Sequence, residues 1–402
     1  AQANARIDQH RRADLVLRVL DRDGLPAAGA KVRVPQRQHE FLFGCNLFRW
    51  GRVGDPTLED LYRRRFAVLF NFATLGFYWS HYERERGHPL YDYTDRVAAW
   101  CRSQNIRCKG HPLVWDFTPD PPWLPSDFDQ IRQLSHERVR AIVSRFRGRI
   151  DVWDVVNEPT DMGRTRTRLG AWAKSLGPVP FAAEHLKIAR AAHPDALLLV
   201  NDYRLDAAFH QILDRLRQED RLLFDAVGIQ SHQHDGPWPL ARIGEVCDRF
   251  ATLGLPLHFT ETTLVSGPRD PSQPGRWQPT TPELEARQAD AVAAFYTMVF
   301  AQPTVAALTW WDFSDRGAWQ GAAAGFVRAD MTPKPAYDRL LHLIRHRWWT
   351  QAEGTTDGAG ELRVRPFFGT HQVSAVLPNG ETLLRELVWR RDTAKHLDLR
   401  VG

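Results

Sequence analysis

Two glutamates in this chain stand where they could share one reaction. Glu158 follows the run Val152-Trp153-Asp154-Val155-Val156-Asn157, and Glu261 sits in His258-Phe259-Thr260-Glu261-Thr262. The first run is short and almost unbroken in its apolar character, as a strand buried on both faces would be. Pro159 cannot donate to a sheet ladder, so it ends the strand and leaves Glu158 at its mouth. Two carboxylates across a sugar-sized cleft suit glycoside hydrolysis, in which one is protonated to release the leaving oxygen and the other ionised to attack the anomeric carbon. A retaining pair requires a separation of ~5–5.5 Å.

Such a pair needs a frame. Between residues 41 and 349 the pattern alternates strand and helix. Phe41–Phe48, Phe70–Leu75, Arg107–Trp115 and Val152–Glu158 read as four strands. Leu197–Tyr203, Ala226–His232, Leu257–Glu261 and Val305–Phe313 read as four more. Tyr93–Gln104, Phe128–Phe146, Phe181–Ala192 and Pro282–Phe300 read as helices, the last opened by a capping Thr281 and a first-turn proline. Eight such units in about 300 residues fit a (β/α)₈ barrel, whose chemistry sits at the carboxyl ends of the strands. A doubly wound open sheet is the other reading, but no glycine-rich phosphate fingerprint follows the first strand.

The strand ends carry polar and aromatic residues: His111 to Trp115, Asn157-Glu158, Asn201-Asp202-Tyr203, Gln230-Ser231-His232, Thr260-Glu261, and Trp310-Trp311 running on to Asp315 and Trp319. In a barrel all of them line one face. The fifteen tryptophans read either as large core residues or as platforms for the apolar face of a sugar ring.

The chain ends read differently. Ala13–Val34 alternates as a β-hairpin around Arg22-Asp23-Gly24, and Asn379-Gly380 marks a hairpin turn between Val373–Leu377 and Leu383–Trp389. Neither end has enough strands to bury a face alone. The expected organisation is therefore α/β: a catalytic barrel at 41–349 and one small β-sandwich-like accessory domain built from 1–40 and 350–402, with Gln351–Gly360 as linker.

Composition narrows the class. A charged fraction of 25%, a hydrophobic fraction of 43% and a net charge of +5 describe an ordinary globular protein. No apolar run reaches the ~18 residues of a membrane helix, and no basic run interleaved with aromatics points to nucleic acid. The opening stretch AQANARIDQHRRADL has no leader pattern, and the expected setting is secreted or periplasmic, as a monomer. Cys45, Cys101, Cys108 and Cys247 show neither zinc nor redox spacing; Cys101 and Cys108 read either as a pair or as buried free thiols, the latter preferred. His232-Gln233-His234 is not read as a metal site, on the argument that these histidines point apart and lack a third ligand. No metal and no cofactor is expected. Ser231 and His232 are adjacent in a strand, which argues against a serine triad. Arg164, Arg166 and Arg168 read either as a solvated loop or as a grip for acidic side groups.

With those motifs in view, the stretches GHPLVW, WDVVNEP, NDY, GIQSH, FTET and WWDFSDRGAW resemble the family 10 glycoside hydrolases, the retaining endo-β-1,4-xylanases, over roughly residues 41 to 345. The resemblance implies that Glu158 is the acid/base, Glu261 the nucleophile and Asn157 a donor to the sugar 2-hydroxyl. It further implies that His111, Trp115, Gln230, His232, Trp311 and Trp319 surround the sugar at the cleavage point; Tyr203 joins them as a strand-end residue. There are departures. Thr74 to Trp79 replaces a polar stretch with Glu, Asn and Lys, Thr263 replaces an aspartate two residues after the nucleophile, and Asp116 replaces a histidine. The expected function is retaining cleavage of β-1,4-xylosidic bonds in xylan or xylo-oligosaccharides. The alternatives are action on another β-linked glycan or from the chain end, and, in a different class, a carbohydrate-binding protein with little turnover.

Overall fold

A computed structural model of the chain describes residues 2–273 and 275–402. Eight strands close a barrel: β1 (Leu42–Asn46), β2 (Phe72–Gly76), β3 (Arg107–His111), β4 (Val152–Asn157), β5 (Leu197–Asp202), β6 (Ala226–Gln233), β7 (Leu257–Leu264) and β8 (Val305–Trp310). Each neighbours the next in chain order, and the ring closes between β8 and β1. Such a parallel arrangement needs a crossover after every strand, and the helices supply it. Phe128–Phe146 follows β3, Pro178–Ala192 follows β4, and Pro282–Phe300 follows β7. Thr281 caps the last of these by accepting from the Leu284 N–H at 3.3 Å.

Every residue of β4 and β7 is buried; in β4 this goes with a near-continuous apolar run, whereas β7 buries His258, Thr260, Glu261, Thr262 and Thr263 as well. Gly110 in β3 has a steric reason: a Cβ there would fall 2.1 Å from the Trp153 ring on β4. Three register shifts lie beside the polar strand ends, in the β4–β5, β6–β7 and β7–β8 pairings. Shifts of this kind re-aim side chains, and here they leave Gln230 directly opposite Glu261.

The chain separates into two compact units, one of Phe43–Ala291 with Thr304–Ala336, which holds the barrel, and one of residues up to Leu42, Val292–Pro303 and Tyr337–Gly402. In the latter, a three-stranded sheet has the order Glu361–Val364, Leu15–Leu20, His396–Arg400. A four-stranded sheet has the order Gln351–Thr355, Lys31–His39, Gly369–Val376, Thr382–Trp389. Leu15, Leu17 and Val19 from the first sheet meet Val32, Val34, Val373 and Trp389 from the second in one apolar core. This is the sandwich arrangement, with strands from both chain ends in each sheet.

Two local expectations fail. Leu15–Leu20 and Lys31–His39 are not a hairpin: they lie in different sheets, and the bridge at the Asp21 turn pairs Leu20 with Pro26, ahead of the second strand. Gln351–Thr355 is not a linker but an edge strand paired with Lys31–Pro35. A helix over Gln2–His10 had no counterpart in the sequence reading.

Candidate active site

A cleft of about 1280 Å³ opens at the carboxyl ends of the barrel strands. His111, Trp115, Asn157, Glu158, Tyr203, Gln230, His232, Glu261, Trp311 and Trp319 all line it. Some other strand-end residues do not reach it. Trp310 is fully buried with its indole N–H on the Ala324 carbonyl at 2.9 Å, Ser231 bonds Thr262, and Asp315 pairs with Lys334 at 2.7 Å.

Glu158 follows β4 with φ 56 and ψ 52, a left-handed conformation that costs a non-glycine residue about 1–3 kcal/mol. The conformation is held from both sides. The Glu158 N–H donates to the Asn201 carbonyl at 2.7 Å. Beyond it, the Asp202 carboxylate accepts from the Thr160 N–H at 3.0 Å and from the Thr160 hydroxyl. The Glu158 carboxyl takes Gln230 Nε2 at 3.1 Å and Asn157 Nδ2 at 3.3 Å on one oxygen. On the other it takes Trp115 Nε1 at 3.1 Å and Arg164 Nη2 at 2.6 Å. Burial, then the charge of Glu261, push its pKa up to about 7, against the pull of the Gln230 hydrogen bond and of Arg164.

Glu261 has the opposite balance. Burial is the largest single influence and would raise it. The charge of His111 and the hydrogen bond and charge of His232 outweigh burial, and the carboxyl lies below its ordinary value. Asn201 Nδ2 reaches Glu261 Oε1 at 2.8 Å and His232 Nε2 reaches Oε2 at 3.0 Å. His111 Nε2 is 3.6 Å from Oε1. His111 is itself oriented by Asp154, whose carboxylate is 2.7 Å from Nδ1 and 2.6 Å from Lys109 Nζ. These ionic groups are all but fully buried in the barrel.

Asn201 links the halves of the site. The same Nδ2 that serves Glu261 donates to Asn157 Oδ1 at 2.8 Å, and Oδ1 accepts from the Thr260 hydroxyl. Gly228 makes this possible, since a Cβ there would stand 2.7 Å from Asn201 Oδ1. Asn201, Asp154 and Lys109 were not singled out from sequence. Only the Asn201-Asp202-Tyr203 strand end hinted at the first.

Aromatic rings wall the cleft. Trp311 meets His111, His232 and Phe48 edge-on at 5.3, 5.8 and 5.4 Å, and Trp319 lies 4.6 Å from His232. His232 and His234 do not point apart: alternate strand residues share a face, and their rings stack at 5.6 Å. No group of three ligating side chains that could hold a metal occurs among the described residues. Of the segment 74–79, only Tyr78 lines the cleft. Phe77 is buried against Trp153 and Phe146, and Trp79 packs on Trp123. Asp116 is not among the residues that line the cleft and accepts from the Gly163 N–H at 2.6 Å. Cys45, Cys101 and Cys108 are buried free thiols. No helix among the described residues is long and apolar enough to cross a membrane.

Known proteins share this architecture. Over 385 residues the chain is 29% identical to "Anti-sigma-I factor RsgI6" of Acetivibrio thermocellus, covering 94% of this chain and 46% of that protein. It is 26% identical to "Endo-1,4-beta-xylanase C" of Paenibacillus barcinonensis, covering 73% of this chain and 30% of that protein. The chain thus spans less than half the length of these two relatives. It is also 26% identical to "Endo-1,4-beta-xylanase B" of Thermotoga neapolitana, covering 69% and 82%. A solved GH10 structure from Paenibacillus barcinonensis superposes with a TM-score of 0.66 at 23% identity, over 76% of this chain and 95% of that one, a likeness of fold. The model of glycosyl hydrolase family 10 matches residues 38–343, and the chain belongs to that family.

Proposed function

We propose that this chain is a retaining glycoside hydrolase that cleaves β-1,4-xylosidic bonds in xylan or its oligosaccharides, working outside the cell or in the periplasm. One observation carries the reading: two carboxyls in one cleft are driven apart in acidity, Glu158 up to about 7 and Glu261 down. That division into a proton donor and an ionised partner is what glycoside hydrolysis uses, and the double-displacement course follows from the resemblance to family 10. Glu158 gives its proton to the glycosidic oxygen while Glu261 bonds to the anomeric carbon. Glu158, now ionised, then takes a proton from the water that releases the sugar. His232 and His111 hold Glu261 ionised. Asn157 and Gln230 hold Glu158 and stand ready for sugar hydroxyls, Trp115 and Tyr203 flank the acid, and Trp311 and Trp319 offer ring faces.

Proton NMR of xylo-oligosaccharide hydrolysis tests this reading. The β-anomer should form first, and α-anomer first would mean inversion. Glu261→Ala should abolish turnover. Glu158→Ala should still cleave a dinitrophenyl xylobioside and be accelerated by azide, because that leaving group needs no proton. Equal loss without rescue would remove the assigned roles.

A second reading is a carbohydrate-binding protein without turnover. The observation behind it is that a relative matched over 94% of the chain is named as an anti-sigma factor and not as an enzyme. Tight oligosaccharide binding with no products from any β-linked glycan would establish it instead.

A further inference from the structure

Of the three arginines that follow Glu158, only Arg164 lines the cleft. Its Nη2 donates to Glu158 Oε2 at 2.6 Å, and its Nη1 donates to Asp161 Oδ2 at 2.7 Å and to the Tyr203 hydroxyl at 3.2 Å. The guanidinium lies 4.1 Å over the Phe117 ring and 5.6 Å over that of Tyr203. The loop that carries it is anchored. The Asp116 carboxylate holds the Gly163 N–H, and the Asp116 carbonyl accepts from the hydroxyls of Thr165 at 2.7 Å and Thr167 at 2.9 Å. Arg168 ties the far end to Asp120 at 3.2 Å. Gly163 has φ 74, and a Cβ there would meet Lys174 at 2.8 Å. A solvated loop has no need of these constraints. They deliver one cation to one carboxyl oxygen.

We propose that Arg164 is a positioning residue that biases Glu158 toward its ionised form and so limits the first half of double displacement, which starts from the protonated acid. The proposal rests on the role given to Glu158 above. In the first half the Glu158 proton passes to the glycosidic oxygen as that bond to the anomeric carbon breaks and the bond to Glu261 forms. In the second half a water proton passes to ionised Glu158 as the water oxygen bonds to the anomeric carbon and the bond to Glu261 breaks. A cation on Glu158 stabilises the carboxylate, so above the Glu158 midpoint it lowers the fraction of free enzyme that holds the proton to be donated. It gives the second half no matching advantage, because a less basic carboxylate is also a weaker acceptor of the water proton.

The surroundings of Glu158 make this influence separable. Glu261 on β7 and Asp202 on β5 both favour the protonated form. Gln230, Asn157 and Trp115 are neutral donors. Tyr203 and Asp161 touch Arg164, Tyr78 lies by the carboxyls, and His111 and His232 face Glu261. Arg164 is the one cation in contact with the Glu158 carboxyl among the described residues.

The test uses the full chain with Arg164→Met and Arg164→Lys. Carbon-13 NMR titration of the Glu158 carboxyl, assigned by its loss in Glu158→Gln, needs no turnover. The midpoint should rise by at least half a pH unit in the Met variant and return most of the way in the Lys variant; an unmoved midpoint overturns the proposal. Kinetics give the second arm at about pH 7.5, above the Glu158 midpoint. The ratio of kcat/KM for an unactivated xylo-oligosaccharide to that for a dinitrophenyl xylobioside, whose first step needs no acid, should rise two- to fivefold in the Met variant. A parallel fall on both substrates would be a structural effect and would overturn the proposal. If the unaltered protein turns over neither substrate, the hydrolase reading fails, while the NMR midpoint still decides whether Arg164 holds Glu158.

Discussion

His232 stands between Thr263 and Glu261, its Nδ1 2.8 Å from the threonine hydroxyl and its Nε2 3.0 Å from the glutamate Oε2. An ionised carboxylate only accepts, so Nε2 carries a proton. A threonine hydroxyl can donate to a neutral ring or accept from a charged one. An aspartate at this place, as the family resemblance leads one to expect, would favour the charged ring. Thr263→Val keeps the side-chain volume and removes the partner. One hydrogen bond of about 0.5–1.5 kcal/mol corresponds to a loss of roughly two- to tenfold in kcat/KM. Unchanged kinetics in this variant would mean that the hydroxyl does not hold the ring.

The raised Glu158 pKa has a consequence for stability. The folded value is about 7, against an ordinary 4.5, so between these pH values the folded protein binds more protons than the unfolded chain. Stability contributed by this group is therefore full below about 4.5 and lost as pH rises through about 7. The penalty at pH 8 is on the order of 2–3 kcal/mol. Glu158→Gln should raise the melting temperature by a few degrees at pH 8, and the difference should vanish near pH 4.5. A uniform shift at every pH would refute this origin. The same pair predicts a bell-shaped kcat/KM, falling above about pH 7 as Glu158 ionises and on the acid side as Glu261 is protonated, below its ordinary range.

Much of the site was legible because barrel chemistry collects at strand ends, and strand ends are visible where an apolar run meets Asn157-Glu158-Pro159 or Thr260-Glu261. What escaped were relations between strands. Asp154 sits inside an apolar run and looks like an interruption, because its partners Lys109 and His111 come from β3. Asn201 looks like one polar strand-end residue among several until its amide is seen bridging Asn157 and Glu261. The alternation of Leu15, Leu17 and Val19 reported a buried face correctly, but burial does not name the partner strand, and the hairpin was misassigned for that reason. His232 and His234 were placed on opposite faces although a period of two puts them on one.

The two chain ends are proposed to be one folding unit, 1–40 with 350–402, and ending the chain at Thr350 tests it. Leu15–Arg18 would lose its pairing with Glu361–Val364, and Lys31–His39 would lose both of its neighbours. Leu17, Val19, Val32 and Val34, now buried, would be left on unpaired strands, an arrangement prone to aggregation. The truncated protein should precipitate or melt well below the full chain. A soluble product with an unchanged melting temperature would show that these strands are dispensable.

The last prediction concerns substrate length and turns on Tyr78. The segment 74–79, which stands in place of a polar stretch, holds three aromatics, of which Phe77 and Trp79 are buried elsewhere. Tyr78 alone lines the cleft, its ring 5.6 Å from that of His111 and 5.8 Å from that of Trp115. A lysine with its partners would offer a sugar charge-assisted hydrogen bonds of about 1.5–3 kcal/mol each; a phenol offers one hydroxyl and a ring face. Grip on an unsubstituted chain should be weaker here, with short or decorated substrates preferred. Linear xylan should therefore lose viscosity slowly for each reducing end released. Tyr78→Ala, by removing the ring, should raise KM for xylo-oligosaccharides more than it lowers kcat, because the ring binds sugar without entering the proton transfers. A rapid fall in viscosity at low release of reducing ends would show ordinary endo-cleavage and end this account of Tyr78.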